Sequence, residues 1–128
     1  MRSSEPEEGR LPTPSDPREL LPLSPPVYHV LLALGDEAMH GYAIMQAFND
    51  KTGGEDALLP GTLYATIARM VEAGLIAELA EPPDESSDRR RRYYRVTDFG
   101  RRVAMAESER LGRLLDVARS QRLAPGRR

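Results

Sequence analysis

The most regular hydrophobic pattern in the chain lies in residues 59–76, LPGTLYATIARMVEAGLI, and predicts a helix. Its apolar positions follow the spacing i, i+4, i+7, i+8, which places on one face Leu63, Ile67, Met70 and Val71. Pro60 suits the first helical turn because its missing N–H would be unpaired there. Gly74 marks the end, since glycine adopts the left-handed conformation after a helix at little cost.

The opposite face of this central helix has a different character. It carries small or hydrogen-bonding side chains and one cation: Thr62, Tyr64, Ala65, Thr66 and Arg69. Such a face fits a DNA major groove, where bulk is excluded and hydrogen-bond donors and acceptors are recognised. An ordinary amphipathic helix with a solvated face has the same pattern, and for this helix alone we favour that plainer interpretation.

Two shorter helices are predicted before the central one. The first begins after Ser24, a favoured capping residue followed by two prolines. The second spans residues 40–50 and has His40 at its cap and Gly41 in its first turn, where glycine indicates close packing. A glycine-containing turn and a loop then lead to the central helix. The pair outlines a helix-turn-helix, although the loop is longer than in the tight form of that motif.

The following residues predict a β-hairpin from strands at 75–81 and 91–96. Alternation in the second strand puts Tyr94 on the inner face and Tyr93 on the outer face. Between the strands, turn formers and acids form a tip with the sequence PPDESSD.

Four consecutive arginines stand between this tip and the second strand: Arg89, Arg90, Arg91 and Arg92. A run of charge is usually a solvated face. Guanidinium groups, however, bind phosphate bidentately and fit narrow minor grooves, and this run lies beside a candidate recognition helix. We therefore favour DNA contact on electrostatic grounds.

A last helix is predicted from Thr97, its cap, to about Arg122, a length of ~39 Å at ~1.5 Å per residue. Its first turns pack back on the domain. Beyond them the apolar surface continues at Leu111, Leu114, Leu115 and Ala118. Exposed apolar residues along a protruding helix predict a partner, and the simplest partner is a second copy. The alternative is a helix folded back on its own chain, but the preceding elements leave little core to cover it.

Charge divides the 128-residue chain in two. Residues 1–88 hold five basic and sixteen acidic side chains, whereas residues 89–128 hold thirteen arginines and four acids. Such a split predicts a polyanionic partner for one region, and self-association between unlike halves competes with it. Residues 1–23, with five prolines, many acids and no periodicity, are expected to be a disordered arm.

Several classes of function find no support in the sequence. The absence of cysteine excludes a disulfide framework and a thiolate metal site, and it fits the cytoplasm. No apolar run approaches eighteen residues, so we expect no membrane span. There is no glycine-rich phosphate loop, nucleophile elbow or metal-ligand spacing. We therefore expect neither an enzyme nor a bound cofactor or metal.

The order helix, helix, recognition helix, hairpin, long helix is that of a winged helix-turn-helix. The expected fold class is mainly α (α+β), with a two-stranded β wing and a long C-terminal dimerisation helix. At this point the chain resembles the PadR-like bacterial transcription regulators, especially the short members with one C-terminal helix. Four segments carry the resemblance: LSPPVYHVLLAL (23–34), HGYAIMQ (40–46), LPGTLYATIARMVEAGLI (59–76) and RRRYYRVTDFGRR (90–102).

The resemblance implies a homodimer that binds a palindromic operator in double-stranded DNA and usually represses. It assigns to the recognition helix Gly61, Thr62, Tyr64 and Arg69, and it assigns to the wing Tyr93, Tyr94 and the arginines before them. Tyr64 has two roles open, contact with DNA or bracing of the helix. The chain departs from the family at Leu59, where relatives often have a small polar cap, and in its long acidic wing tip.

Control by a small molecule stays open. Some relatives bind flat aromatic molecules with tryptophan between their C-terminal helices, and this chain has no tryptophan. An effector pocket would be lined by Met105, Leu111 and Leu115.

We therefore expect an arm at 1–23, a winged helix-turn-helix domain at 24–96, a dimerisation helix at 97–122 and a flexible tail at 123–128. The expected function is a DNA-binding transcriptional regulator, a repressor. The alternative is a winged-helix module that binds protein and no DNA, which the acidic first 88 residues favour. The two hypotheses differ in whether the arginine run and the Thr62/Arg69 face point the same way.

Overall fold

Four helices and a small antiparallel sheet make up residues 16–54 and 58–126, the part of the chain that the computed structural model describes. In chain order the elements are α1 (Pro25–Leu34), β1 (Met39–His40), α2 (Gly41–Thr52), α3 (Pro60–Glu72), β2 (Ile76–Glu78), β3 (Tyr93–Val96) and α4 (Asp98–Ser120). A short 3₁₀ turn, Pro17–Leu20, precedes α1. This order confirms the predicted winged-helix arrangement and its long final helix. None of the helices in the described ranges is long and apolar enough to cross a lipid bilayer.

Two of the three predicted side-chain caps are formed, at His40 and Thr97, whereas Ser24 occupies the capping position of α1 without a side-chain hydrogen bond. The Nδ1 atom of His40 accepts a hydrogen bond from the Ala43 N–H at 3.1 Å, which caps α2. The Thr97 hydroxyl accepts from the Gly100 N–H at 2.9 Å, which caps α4. By contrast, α1 and α3 begin with prolines and have no side-chain cap, and the capping position of α3 is the exposed Leu59.

One hydrophobic core lies between α1, α2, α3 and the first half of α4. Its most deeply buried members come from these four helices and from β2: Val30, Leu34, Ile44, Leu63, Met70, Ile76 and Val103. Burial against α1 and α2 fixes the orientation of α3 and leaves its other face exposed.

The inner stripe of α3 differs from the predicted one by two residues. Thr66 is fully buried, although we expected it on the outer face, and Val71 is 40% exposed, although we expected it inside. The buried spacing runs through positions 63, 66, 67 and 70, which also follows the helical period. The expectation for Thr66 was wrong because hydropathy counts threonine as polar. The expectation for Val71 was wrong because this residue lies at the edge of the buried stripe, where it lines an open groove beside the hairpin. Within the described residues, the Thr66 hydroxyl oxygen has no hydrogen-bond partner.

The sheet has three strands in the order β1–β3–β2, all antiparallel. In the register, His40 pairs with Tyr93 and Ala77 pairs with Arg95. The predicted two-stranded hairpin therefore gains a third strand, β1, whose two residues are too few to give a sequence signal. Both hairpin strands are shorter than predicted, and the loop between them accordingly spans residues 79–92.

The predicted orientation is wrong for Tyr93, whereas Tyr94 packs against the hydrophobic core as predicted. Tyr93 is buried, with 7% of its surface exposed, and Tyr94 is half-buried. The His40 ring packs edge-on against the Tyr93 ring at 5.4 Å between centroids. The Tyr93 hydroxyl accepts a hydrogen bond from the Asp88 N–H at 3.0 Å. Because β3 is the central strand, the residue predicted to face outward is covered by β1 and the returning loop.

The segment before α1 packs against α4. Residues 1–15 of the predicted disordered arm lie outside the described residues, but residues 16–23 are ordered, so the arm was predicted too long. Leu20, Leu21 and Leu23 pack against the core. The Leu23 N–H donates to the carboxylate of Glu107 at 3.1 Å, and this carboxylate is buried in α4. Apolar anchoring and one buried acceptor therefore order this segment.

Candidate nucleic-acid interface

A groove of about 510 Å³ separates the outer face of α3 from the base of the hairpin formed by β2, β3 and their loop, which we call the wing. The α3 side contributes Tyr64, Ala68 and Val71, and the wing side contributes Arg91 and Arg92. The outer face of α3 and part of the arginine run therefore border one space, which we call the wing groove.

Most of the α3 residues predicted to contact DNA are exposed. They are Gly61, Thr62, Tyr64, Ala65 and Arg69. Thr66 is the exception, because its full burial removes it from the interface. Sequence analysis also missed Ala68, which is exposed and lines the wing groove. Its signal was the spacing, since Ala68 stands one helical turn after Tyr64.

The exposed face of α3 has small side chains along its centre, followed there by Glu72 in the last turn, and larger side chains on its two edges. With 3.6 residues per turn, Gly61, Ala65 and Ala68 form the centre of this face. Tyr64 lies on the edge next to the wing, whereas Thr62 and Arg69 lie on the other edge. The Thr62/Arg69 edge does not border the wing groove, and it lies roughly 140–160° around the helix from Tyr64. Small side chains in the centre let another molecule approach the helix backbone closely.

Of the two roles that the sequence left open for Tyr64, the structure shows the bracing of the helix. A Cβ atom added at Gly41 would lie 2.7 Å from Cε1 of Tyr64, so the tyrosine ring rests directly on the start of α2. The ring nevertheless remains 56% exposed. It braces α3 against α2 and still presents a surface to the wing groove.

The four wing arginines are exposed, and three of them form ion pairs with acids of the wing. Arg90 and Arg91 both face Asp88, with Nε–oxygen distances of 3.2 and 3.5 Å, and Arg92 lies 3.9 Å from a Glu78 oxygen. Hydrogen bonding from Arg90 holds the pKa of Asp88 below its ordinary value. Ion pairs this exposed are weak because water screens them, so these guanidinium groups can exchange acids for phosphates.

The acidic wing tip folds on itself. Asp84 accepts hydrogen bonds from the backbone N–H of Ser86 at 2.9 Å and from the hydroxyls of Ser86 and Ser87 at 2.6 and 3.1 Å. These bonds, first that from the Ser86 hydroxyl, lower the pKa of Asp84. The predicted turn is confirmed, and its retained negative charge disfavours insertion of the tip itself between phosphates.

His40 connects the start of α2 to the wing. Its Nδ1 atom, which caps α2, lies 3.2 Å from Nη1 of Arg91. Burial and the Arg91 charge together lower the pKa of His40, with burial the larger cause. The sequence predicted the cap but not the contact with a side chain fifty-one positions away, for which no local pattern exists.

The predicted dimer residues lie on the distal half of α4. Leu111, Leu114 and Leu115 are 38%, 53% and 42% exposed, and Ala118 is half-buried. The structure does not bring the expected effector residues into one pocket. Met105 lines a groove of about 350 Å³ with residues of α1, whereas Leu115 lines a separate cleft further along α4.

Comparison with known proteins gives one family match and several structural ones. Residues 30–106 match the model of the transcriptional regulator PadR-like family. A PadR family transcription regulator from Clostridium difficile superposes with a TM-score of 0.65 at 23% identity, covering 79% of this chain and 100% of the other. Bacillus subtilis PadR in complex with operator DNA gives a TM-score of 0.54 at 19% identity, covering 70% and 48%. At these identities the likeness concerns the fold.

A sequence relative has a less informative name. An uncharacterised 37.1 kDa protein in transposon TN4556 of Streptomyces fradiae is 35% identical over 85 residues, which are 66% of this chain. The chain spans only 22% of that relative's length.

Proposed function

The chain belongs to the PadR-like family of transcriptional regulators, and from this premise we propose that it is a DNA-binding repressor that occupies a palindromic operator as a homodimer. The observation that carries the proposal is the wing groove, because the Tyr64 and Ala68 edge of the exposed face of α3 and two wing arginines border it together. The Bacillus subtilis relative solved with operator DNA supports the same partner for this chain.

In this proposal α3 is the recognition helix. The small side chains Gly61, Ala65 and Ala68 let the helix approach the base edges in a major groove. Thr62 and Arg69 supply a hydroxyl and a guanidinium for base or phosphate contact. Since Leu59 offers no capping oxygen, N–H groups of the first turn of α3 remain able to donate to a phosphate.

The wing arginines bind the phosphate backbone in this proposal, whereas Tyr93 has a different role. Exposed guanidinium groups that now face Asp88 and Glu78 would exchange these acids for phosphates. Tyr93 is buried, so it supports the wing from inside and is not a DNA contact.

The dimer is formed through α4. The exposed leucines of its distal half continue the helix face that packs on the domain in the first half. Two copies joined there would present two recognition helices, which fits two half-sites about one helical turn, ~34 Å, apart or a multiple of it.

The deciding experiment selects bound fragments of the host genome with the full chain and then measures affinity for the enriched site against salt. We compare Arg91→Gln/Arg92→Gln, which removes two charges from the wing groove, with Arg102→Gln/Arg113→Gln, which removes two exposed charges from α4. The wing pair should reduce the slope of log affinity against log salt by about 1.8, two phosphate contacts at ~0.9 each. The α4 pair should change this slope by less than ~0.9, the value for one phosphate contact.

Each alternative has its own result. Equal slopes for the two pairs would remove the wing from the interface. Failure to enrich any fragment, together with a salt-insensitive retention on duplex DNA, would overturn DNA binding and favour the protein-binding module.

Base recognition by α3 is tested with the same selection. Arg69→Gln should relax the preference at one or two positions of the enriched site, since a bidentate arginine contact discriminates bases by about 1–3 kcal/mol. An unchanged consensus with uniformly weaker binding would make Arg69 a phosphate contact instead.

A further inference from the structure

His40 stands where three elements meet: the end of β1, the start of α2 and the base of the wing. Its Nδ1 atom accepts from the Ala43 N–H at 3.1 Å and faces Nη1 of Arg91 at 3.2 Å. Both neighbours are hydrogen-bond donors, so both contacts share the single lone pair of an unprotonated Nδ1. The ring is therefore neutral in this arrangement, with its proton on Nε2.

The contact closes a ring of interactions around the base of the wing. Arg91 also pairs with Asp88, at 3.5 Å from Nε to the carboxylate. The Asp88 N–H donates to the Tyr93 hydroxyl, and the Tyr93 ring packs edge-on against His40. His40 and Tyr93 are also paired in the sheet. Arg91 is therefore held against the sheet directly, by His40, and indirectly, through Asp88 and Tyr93.

We propose that neutral His40 is a positioning residue for the wing: it holds Arg91 at the mouth of the wing groove, and protonation of His40 releases Arg91. The importance of this contact for DNA binding rests on the function proposed above. The contact itself does not, because it exists within the folded chain.

The surrounding charges determine which form His40 takes. From the wing, Arg91 opposes protonation and Asp88 favours it. Tyr93 faces it from β3 as a neutral ring, Tyr64 borders the same groove from α3, and Glu78 and Arg92 add one charge of each sign. Burial and Arg91 prevail over Asp88, so the neutral form persists to a lower pH than for a free histidine. Protonation would place a cation against the guanidinium and remove the acceptor for both donors.

The first test measures the pKa of His40 by NMR and needs no DNA. A contact that protonation breaks must shift the pKa of the histidine, because the two equilibria are linked. Arg91→Gln should raise the pKa of His40, whereas Arg89→Gln, a matched removal of a neighbouring wing charge, should leave it nearly unchanged. His40→Asn identifies the resonance, since the chain has only two histidines. Equal values in the wild type and Arg91→Gln would overturn the proposal.

The second test measures coupling in DNA affinity at pH 8, where His40 is neutral. His40→Asn keeps a favoured capping residue but removes the imidazole contact. His40→Asn and Arg91→Gln should each lower the affinity for DNA. The affinity of the double variant should equal that of the single variant with the lower affinity. The double variant would then bind at least about threefold more tightly than two independent effects predict. His40→Asn with Arg89→Gln is the control pair, whose effects should multiply.

The two tests separate the possible failures. A shifted pKa in a protein that binds no DNA would reject the proposed function and retain the contact. Independent effects of His40→Asn and Arg91→Gln on a protein that does bind DNA would reject the positioning role. Circular dichroism of each variant confirms a native fold, and Arg91→Gln leaves the cap of α2 untouched.

Discussion

The two halves of α4 use the same helix for different purposes. The first half buries Gly100, Val103 and Glu107 against the domain. The second half exposes leucines at Leu111 and Leu115 on the continuation of that face. An apolar stripe in a sequence therefore does not reveal whether it is buried within its own domain or left exposed for a partner. Only the burial of each residue in the folded chain distinguishes the half of this apolar face that packs on the domain from the half that remains exposed.

Gly100 gives the largest expected effect because it lies where α4 packs most closely on the domain. A Cβ atom at this position would lie 2.0 Å from the backbone oxygen of Leu75, which cannot move aside as a side chain can. We expect Gly100→Ala to reduce the free energy of unfolding by about 3 kcal/mol, measured by urea denaturation. A loss of less than about 1 kcal/mol in the free energy of unfolding would mean that the first half of α4 does not pack closely on the Leu75 backbone.

The exposed half of α4 is tested by introducing charge. Leu111→Glu/Leu115→Glu should weaken the proposed homodimer by about a hundredfold or more, because the charges would be buried in an apolar interface. Sedimentation equilibrium measures this directly. Arg113→Glu makes the same change in net charge on the side of α4 opposite Leu111 and Leu115, roughly 160° away around the helix, and should leave the dimer intact. A wild-type protein that is monomeric at micromolar concentration would refute the interface.

Glu107 marks the boundary between the two halves, and its effect should be intermediate. It pairs with Arg110 at 2.6 Å and accepts from the Leu23 N–H. Glu107→Gln should lower the free energy of unfolding at pH 7 by about 1.5–2 kcal/mol, the range of a hydrogen bond to a charged group. The exposed neighbour Glu109 provides the control, since Glu109→Gln should change stability by less than about 0.5 kcal/mol.

The same residue predicts a pH dependence. The hydrogen bond from Arg110 is the main cause that lowers the pKa of Glu107 from its ordinary 4.5. Its stabilisation is therefore present above that value and is lost as the pH falls through the lower folded-state pKa. Urea denaturation at decreasing pH should show the gap between wild type and Glu107→Gln narrowing below pH 4.5. A constant gap would contradict the pairing.

The smallest effect is expected at Gly112, in the exposed half of the helix. Nothing lies within 4 Å of a Cβ atom added there. In the Leu111→Glu/Leu115→Glu background, where no dimer competes, Gly112→Ala should raise the free energy of unfolding by about 0.5–1 kcal/mol through helix propensity. A loss of stability in that background would contradict the open surroundings. If Gly112→Ala raises the free energy of unfolding in that background but not in the wild-type protein, Gly112 lies in the dimer interface.

The helices were predictable because their signals are local. Pro60 and Gly74 bracket α3, and Thr97 caps α4, as the spacing of turn and capping residues indicated. The exposed positions of Thr62 and Arg69 followed from the same helical period. These features depend on neighbours within one or two turns, which a single sequence contains.

The errors concern residues whose environment is made by distant parts of the chain. Tyr93 is buried because β1 pairs with it from the other side, and β1 is only two residues long. Thr66 is fully buried, and hydropathy gives no reason to place a hydroxyl in the core. The contact between His40 and Arg91 likewise joins segments that no periodicity links.

The fit of Tyr64 over Gly41 has a consequence for redesign of this protein. Exchanging α3 for the helix of another regulator would bring a new side chain to position 64. That side chain would have to pack against the backbone at Gly41, where no Cβ atom is present. Positions 41 and 64 should therefore be varied as a pair, so that a larger residue at one is always combined with a smaller residue at the other.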